Sequence, residues 1–373
     1  MDSMYVGPVQ ANDLLNNPGG ESSIESRPES TVTTAFVSER FGDAQKKRRR
    51  IDPGQNPLRE PVASPGVLLT HGRAVQQALA AALGQLMLDG AVSRRIRIAG
   101  AKMCGTKGSA AVIQRVNARL DVEIDSWRMR PIGRMPVLHL GAMTGYVRHV
   151  RWLESCTILL AAGIRDDGRR SALDAIVAAG SAQAAWPALL ESLRERGLNG
   201  LRMVISEDHA GAVGAWKAIW PGAAWQRCQR ELGQRALAHE DAGLAPPQLD
   251  HRILWIWKAP DRQEAERRLQ KLVEALSPHS PQLADWLKTH LPDGFAVLDA
   301  PPSMRRRLRT AYLIANLTRT LRRQARVAPF YPSCRALQRV ACAVLMETCE
   351  DWEAGPAYLR PEGGRGHGRW SGL

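Results

Sequence analysis

The sequence predicts an α/β protein: a mixed sheet with a helical insertion and basic C-terminal helices, preceded by a helical N-terminal region. Three observations support this fold class. Short apolar runs of strand length recur between residues 136 and 205. Apolar residues at helical spacing fill the segments before and after these runs. Arginines cluster between residues 305 and 326, shortly before Pro329 and Pro332, which are expected to end a helix.

The length and charge of the chain narrow the classes of function. Its 373 residues are enough for more than one domain. With 51 Lys+Arg against 37 Asp+Glu, the formal net charge is +14. This excess indicates a polyanionic partner, with nucleic acid the first candidate and an anionic membrane surface the second.

Apolar patterning and cysteine usage favour a cytoplasmic, nucleoid-associated protein with no membrane partner. No apolar stretch approaches the roughly 18–20 residues needed to cross a bilayer. The six cysteines include no Cys-x-x-Cys pair, which favours reduced thiols over a zinc ribbon or a disulfide framework.

Two N-terminal regions precede the predicted sheet. Residues 1–66 are rich in Gly, Pro, Ser, Asn and charge and are predicted to be a disordered tail. Their basic run 46–50 either contacts phosphate or is a solvated charge run. Residues 67–130 are predicted to be a helical, basic region that binds DNA. Its amphipathic helix is indicated by the apolar positions Val75, Leu79, Leu83 and Leu86.

Residues 131–240 carry the predicted strands. Strand-like runs cover 136–140, 146–150, 157–163 and 172–178. The Asp-Gly pair within 165–169 indicates a hairpin turn. These runs predict a three-stranded meander joined to α/β crossovers.

A helix and a further strand follow the meander. Ser181 is the predicted N-cap of the helix and Gly197 its C′ residue. The apolar positions of the helix are Trp186, Leu189, Leu190 and Leu193. Meander, helix, strand and helix in this order are compatible with a ribonuclease-H-like sheet.

The strand 203–205 ends in a polar cluster with two interpretations. Glu207 and Asp208 at the carboxyl end of a strand lie where open α/β sheets place their chemistry. Alternatively, Ser206 caps a helix whose first turn carries the two acids.

The last part of the chain is predicted to be helical. Residues 241–305 form a helical insertion in which Asp261 caps one helix. Its tryptophans either stack on bases or pack in the core; they are Trp255, Trp257 and Trp286. Residues 306–353 form closing helices, and 354–373 a loose tail. The basic closing helix carries Arg319, Arg322, Arg323 and Arg326. These arginines either contact DNA phosphates or form a solvated charged face.

Several short motifs occur in a fixed order along the chain. They are Asp125-Ser-Trp-x-x-Arg130-Pro131, Pro136-x-Leu-x-Leu140, Gly163-(x)4-Gly168-Arg-Arg170, Ser192-Leu-x-x-Arg196-Gly-Leu198, Ser206-x-Asp-His-Ala-Gly211, Pro221-Gly-Ala-x-Trp225-Gln-Arg-Cys228, Leu321-Arg-Arg323, Tyr331-Pro332 and Glu350-x-Trp352. By their order and spacing, the chain resembles the Mutator-type transposases of bacterial insertion sequences over residues 120–353.

This resemblance implies a ribonuclease-H-like fold and a transposase in which two Asp and one Glu hold two divalent ions, Mg²⁺ or Mn²⁺. Phosphodiester attack places charge on the entering and leaving oxygens, and two ions stabilise both. Carboxylates supply the oxygen ligands that magnesium prefers. The implied partners are DNA, as terminal inverted repeats and target DNA, and further copies of the chain in a homo-oligomer.

The positions that match the family's three acids do not all carry acids. The first Asp falls on Gly141, or on Met143 by a second alignment. Glu207 stands at the second position as the one retained acid, and the adjacent Asp208 is a candidate substitute. Ala315 stands where the family has its Glu. We therefore expect that divalent ions are not bound productively, with Glu207 the remaining metal ligand if any is bound.

Three functional hypotheses follow. The first is a transposase-family DNA-binding protein with a lost or impaired acidic triad. The second is a working transposase that uses Glu207, Asp208 and acids elsewhere, such as Asp121, Glu123 or Asp125. The third is a non-catalytic, basic nucleic-acid-binding scaffold.

Overall fold

A five-stranded mixed sheet organises the residues that the structure describes. The computed structural model describes residues 73–88, 102–103, 110–149, 152–180, 182–239 and 246–359. The predicted tail 1–66, with its basic run 46–50, lies outside them. The strands are β1 Val137–Arg148, β2 Leu153–Ile164, β3 Arg170–Ala179, β4 Met203–Ser206 and β5 Ala224–Arg227.

The strand order is β3-β2-β1-β4-β5. The first three strands form an antiparallel meander, and β4 and β5 continue the sheet in parallel with β1. The predicted mixed α/β fold is thus confirmed. Because β1, β4 and β5 run in one direction, the carboxyl ends of β4 and β5 and the second half of β1 lie at one end of the sheet.

Strand β1 contains parts of two strand-like runs, 136–140 and 146–150, so the meander has three strands as predicted. It is continuous over 12 residues and paired with β2 throughout. The reason lies in the glycines that interrupt the apolar pattern. Ile314 packs where a side chain on Gly141 would stand, and Leu337 lies 2.7 Å from the position of a Cβ on Gly145. Helices therefore approach the strand closely while its backbone stays extended.

Helices cover both faces of the sheet. They are α1 Arg73–Leu88, α2 Ala110–Met129, α3 Ala185–Glu195, α4 Ala212–Ile219, α5 Gln229–Leu237, α6 Pro246–Trp257, α7 Arg262–Leu276, α8 Pro281–His290, α9 Pro302–Leu308, α10 Tyr312–Ala325 and α11 Cys334–Ala354. Helices α3 and α4 pack on one face through Trp186 and Trp216. Helices α1, α2, α10 and α11 and the insertion α6–α8 share the core on the other face.

Several sequence-predicted apolar faces are buried in these two cores. All four apolar positions predicted for α1 and all four for α3 are at most 5% exposed. Gly197 follows α3 with a φ of 84°, as expected of a C′ glycine. In the insertion, Trp257 and Trp286 pack against the core as predicted, whereas Trp255 is 48% exposed. The guanidinium of Arg268 lies 4.2 Å from the ring centroid of Trp255.

The helix caps agree with the sequence in one case and differ in another. The side chain of Asp261 accepts a hydrogen bond from Glu264 N at 2.8 Å and caps α7 as predicted. The prediction that Ser206 caps a helix is wrong, because α4 begins after Gly211, which has a φ of 82°. Ser206 is instead the last residue of β4, and its Oγ accepts a hydrogen bond from Trp225 Nε1 at 2.9 Å. Ser181 lies outside the described residues.

The C-terminal segment was predicted to be loose from residue 354, but its first residues are packed. The backbone N–H groups of Tyr358 and Leu359 donate to Gly168 O at 2.8 and 3.0 Å. Leu359 is 1% exposed, and Tyr358 lies under the guanidinium groups of Arg170 and Arg307. Apolar burial and these stacked cations hold the segment against the hairpin turn. Residues 360–373 lie outside the described part of the chain.

Candidate functional site

A cavity of about 400 Å³ opens at the carboxyl end of β4, between β1 and α10. Its lining combines small apolar residues, one carboxylate, one imidazole and five arginines. The lining residues are Leu140, Gly141, Ala142, Glu207, His209, Arg230, Ala311, Ile314, Ala315, Thr318, Arg319, Arg322, Arg323 and Arg326. The cavity thus holds Gly141, Glu207 and Ala315 together with all four arginines that the sequence singled out on the basic helix.

Sheet register explains how two of these positions meet. The last registered pair between β1 and β4 is His139 with Ile205. Gly141 and Glu207 each lie two residues beyond that pair, so they sit side by side at the end of the sheet. Ala315 reaches the same cavity from the first turn of α10.

Gly141 has no room for a side chain. A Cβ built on it would collide with Ile314, which α10 brings against the strand from the preceding position to Ala315. Position 141 therefore has no carboxylate, and the space that a carboxylate would need there is occupied by Ile314. The side chain of Met143, the other candidate position, packs against the main core and does not line the cavity.

Glu207 and His209 are the carboxylate and the imidazole of the cavity lining. Both are half-buried, and the ring of His209 stacks on Trp186 with the centroids 5.7 Å apart. Burial lowers the pKa of His209, against the opposing effect of the neighbouring carboxylates. His209 is therefore a neutral imidazole near neutral pH. In the sequence, only the two acids of the polar cluster after β4 were singled out. His209 belongs to the same cluster, and that position was the sequence signal that could have identified it.

Five exposed arginines form what we call the arginine rim: Arg319, Arg322 and Arg323 from α10, Arg326 at its C-cap and Arg230 from α5. The four on α10 and its C-cap share one face because they recur at helical spacing. Among the described residues, none of the five lies within 4.0 Å of a carboxylate oxygen. Sequence reasoning missed Arg230, although it follows the central signature by two positions.

Asp208 faces away from the cavity. Its carboxylate lies 3.4 Å from the guanidinium of Arg227, which is 2% exposed and bound by Glu231 through contacts of 2.9 and 3.1 Å. Asp293 approaches the same guanidinium at 3.6 Å. The bidentate contact with Glu231 already compensates the single positive charge of this guanidinium, and the carboxylate of Asp208 adds a further attraction. Asp208 is therefore engaged in this cluster rather than in the cavity lining.

The other candidate acids lie on α2 and do not line the cavity. Asp121 is bound by Arg339 at 2.6 Å and by Arg335 at 2.8 Å, and the hydrogen bond from Arg339 lowers its pKa. Glu123 is paired with Arg119 on the same helix at 3.0 Å. Asp125 is likewise on α2.

The residues present do not fit a two-metal site. Of the three matched positions, Gly141 and Ala315 offer no side-chain donor, and Glu207 alone carries a carboxylate. Throughout the described ranges, no group of three or more His, Cys, Asp or Glu side chains is arranged to hold a metal ion. Two-metal catalysis requires carboxylate oxygens shared between both ions.

The chain shows sequence similarity to insertion-sequence transposases. It is 36% identical over 293 residues to the transposase for insertion sequence element IS406 of Burkholderia multivorans, covering 78% of this chain and 76% of that one. It is 27% identical to the transposase for ISRM5 of Rhizobium meliloti, over 95% of this chain and 94% of that one. It is 28% identical to the transposase for IS1081 of Mycobacterium tuberculosis, over 86% of this chain and 77% of that one.

Residues 58–355 match the family model described as "Transposase, Mutator family". The chain belongs to this family, as its motifs indicated. Membership implies DNA as a partner and, in general, a divalent-metal-dependent mechanism. Within the described part of the chain, no helix is long and apolar enough to cross a membrane.

Proposed function

We propose that this protein is a DNA-binding member of the transposase family whose acidic triad is lost or impaired. One observation carries the proposal: Gly141 and Ala315 line the same cavity as Glu207, beside the arginine rim. The strand order β3-β2-β1-β4-β5, with three antiparallel strands and two parallel ones, supports a ribonuclease-H-like sheet.

The loss of two carboxylates removes the ligands for metal-dependent strand cleavage and leaves the arginine rim as a surface for DNA. Bound divalent ions would supply charge stabilisation for phosphodiester attack, and this cavity lacks the ligands for them. The arginines remain suited to phosphate, because a guanidinium forms two parallel hydrogen bonds with phosphate oxygens. The net charge of +14 favours the same polyanion over the whole molecule.

The proposed partners are the terminal inverted repeats and target DNA of an insertion element, bound at the nucleoid by a homo-oligomer. Similarity to insertion-sequence transposases supports DNA as the partner. A preference for one terminal-repeat sequence over random DNA of equal length separates this function from that of a general basic scaffold. A scaffold that binds phosphate alone predicts steep salt dependence without that preference.

Strand cleavage is the direct test. The full chain is incubated with its element's terminal-repeat DNA and Mg²⁺ or Mn²⁺, beside the IS406 relative with its own ends. We expect binding of the DNA without cleavage above the level of a no-protein control. Cleavage that disappears in Glu207→Ala would contradict the proposal and support a working enzyme with displaced ligands.

A further inference from the structure

We propose that the cavity is a metal-independent site for a phosphoryl group, filled by a DNA phosphate or by a free phosphate anion. The inference rests on the proposed loss of the triad, since it assigns a ligand to a cavity whose lining has a single carboxylate. Direct arginine contacts would then hold the phosphate where ions hold it in a catalytic relative.

Cations reach the cavity from two walls. Helix α10 and its C-cap contribute four arginines of the rim, and Arg230 at the start of α5 stands on another side. Elsewhere in the described residues, many arginines are paired with acids, as Arg227 is with Glu231. In the cavity, five guanidinium groups share the lining with a single carboxylate, that of Glu207. One of the five, that of Arg323, also donates to Thr320 Oγ1 at 3.0 Å. Such an excess of cationic donors over carboxylates favours an anion with several acceptor oxygens.

The floor of the cavity favours a phosphate held near the rim. It is made of small apolar residues, including Gly141, Ala142, Ala311 and Ala315, and Ile314 closes the space beneath Gly141. A volume of about 400 Å³ admits a phosphoryl group with room to spare. Apolar walls also lower the local dielectric constant, which strengthens the attraction between guanidinium and phosphate.

Glu207 has the opposite effect in such a site to the one it has in a metal site. As a metal ligand, a carboxylate attracts the ions that bind phosphate, and its loss weakens binding. With no ion between them, the carboxylate repels phosphate. Neutralising Glu207 should therefore tighten phosphate binding, and divalent ions should not be required.

Titration with inorganic pyrophosphate in EDTA tests this prediction by calorimetry. For Glu207→Gln we expect affinity to rise about fivefold over the unaltered chain, as for the removal of one partly screened repulsion. Glu274→Gln is the matched control, since it changes the net charge equally at an exposed position that does not line the cavity. Arg230→Gln should weaken binding about tenfold, and the exposed Arg252→Gln should not.

Binding of duplex DNA distinguishes the two sources of the phosphoryl group. If Glu207→Gln tightens both pyrophosphate and DNA, and pyrophosphate displaces DNA at matched ionic strength, the site takes either source. Tightening of DNA binding alone assigns the site to a strand phosphate, and tightening of pyrophosphate alone assigns it to the free anion. If neither changes, or if binding needs Mg²⁺ and falls in Glu207→Gln, the inference is wrong. If neither affinity changes but the chain binds DNA without cleaving it, the proposed function still stands while this inference fails.

Discussion

At the residue scale, Gly141 and Ile314 decide what the cavity can hold. The two residues occupy a single space: a side chain at 141 collides with Ile314, which is itself 6% exposed. The glycine at position 141 is thus matched by the packing of an isoleucine on a different element. An Asp at position 141 alone would place a carboxylate against an aliphatic side chain rather than in an open ligand position.

A double-mutant cycle tests this coupling. Gly141→Ala should lower the free energy of unfolding by about 1–3 kcal/mol through overpacking, and Ile314→Ala by about 2–5 kcal/mol through lost burial. The double variant should lose at least about 1 kcal/mol less than the sum, because removing Ile314 makes room for the new methyl group. Urea unfolding of the three variants measures these values.

Gly214→Ala is the matched control for the glycine substitution. Gly214 lies in α4, and a Cβ there meets nothing within 4 Å. Alanine should therefore stabilise the helix by about 0.5–1 kcal/mol. Additive effects of Gly141→Ala and Ile314→Ala would mean that the two side chains do not share one space.

At the element scale, α10 joins the cavity to the proposed DNA surface. Arg322→Ala combined with Arg323→Ala should weaken DNA binding across sequences and reduce the salt slope by about two, since each phosphate contact contributes about 0.9. Fluorescence anisotropy at several salt concentrations measures both quantities. Removal of the exposed Arg252 and Arg306, which do not line the cavity, is the charge-matched control. If both double variants weaken DNA binding equally, the arginines of α10 form a solvated charged face and do not contact DNA specifically.

A buried ion cluster joins α2 and the segment after α3 to the sheet. Asp174 on β3 is fully buried and is bound by Arg128 at 2.8 Å, with Arg196 at 3.6 Å. Burial lowers the pKa of Arg196 to about 10, which still leaves it charged near neutral pH. The fully buried carboxylate thus lies between the buried Arg196 and the partly exposed Arg128, and its removal would leave Arg196 without its nearest counter-charge.

Asp174→Asn should therefore lower the free energy of unfolding by about 3–5 kcal/mol, because Arg196 is left buried without its counter-charge. Chemical denaturation measures the loss. Glu191→Gln removes an exposed partner of Arg194 and should change the free energy of unfolding little, because water screens this ion pair. A similar small loss in Asp174→Asn would show that water or other groups compensate the arginines.

At the scale of the whole molecule, one buried histidine is expected to govern stability in mild acid. His139 on β1 is fully buried, and neither ring nitrogen has a hydrogen-bond partner in the described part of the chain. Burial lowers its pKa from 6.5 to about 3. The unfolded chain thus binds a proton that the folded chain rejects, so stability is complete above about pH 6.5 and falls as the pH drops from there towards 3.

His139→Leu should remove this dependence. Between pH 7.5 and 5, the unaltered chain should lose about 2 kcal/mol more stability than the variant, from a shift worth about 1.4 kcal/mol per pH unit. Urea unfolding at the two pH values measures the difference, and the other histidines cancel because both proteins contain them. Parallel pH profiles would mean that His139 finds a hydrogen-bond partner or water when protonated.

The sequence by itself determined the elements whose patterns are local. The apolar positions of α1 and α3 and the cap of α7 at Asp261 follow from helical spacing and hydrogen bonding within a few residues, and they were predictable. The residue types at positions 141, 207 and 315 were equally plain, as was the family to which the chain belongs.

Only the tertiary structure decided how distant segments share space. It joined two strand-like runs into β1, set Ser206 against Trp225, engaged Asp208 with Arg227 and brought Arg230 to the cavity. Each of these outcomes depends on a contact between residues far apart in the chain or on which way a side chain points at the end of a strand. Local propensity carries no information on either, because the free energy involved arises only when the helices pack on the sheet.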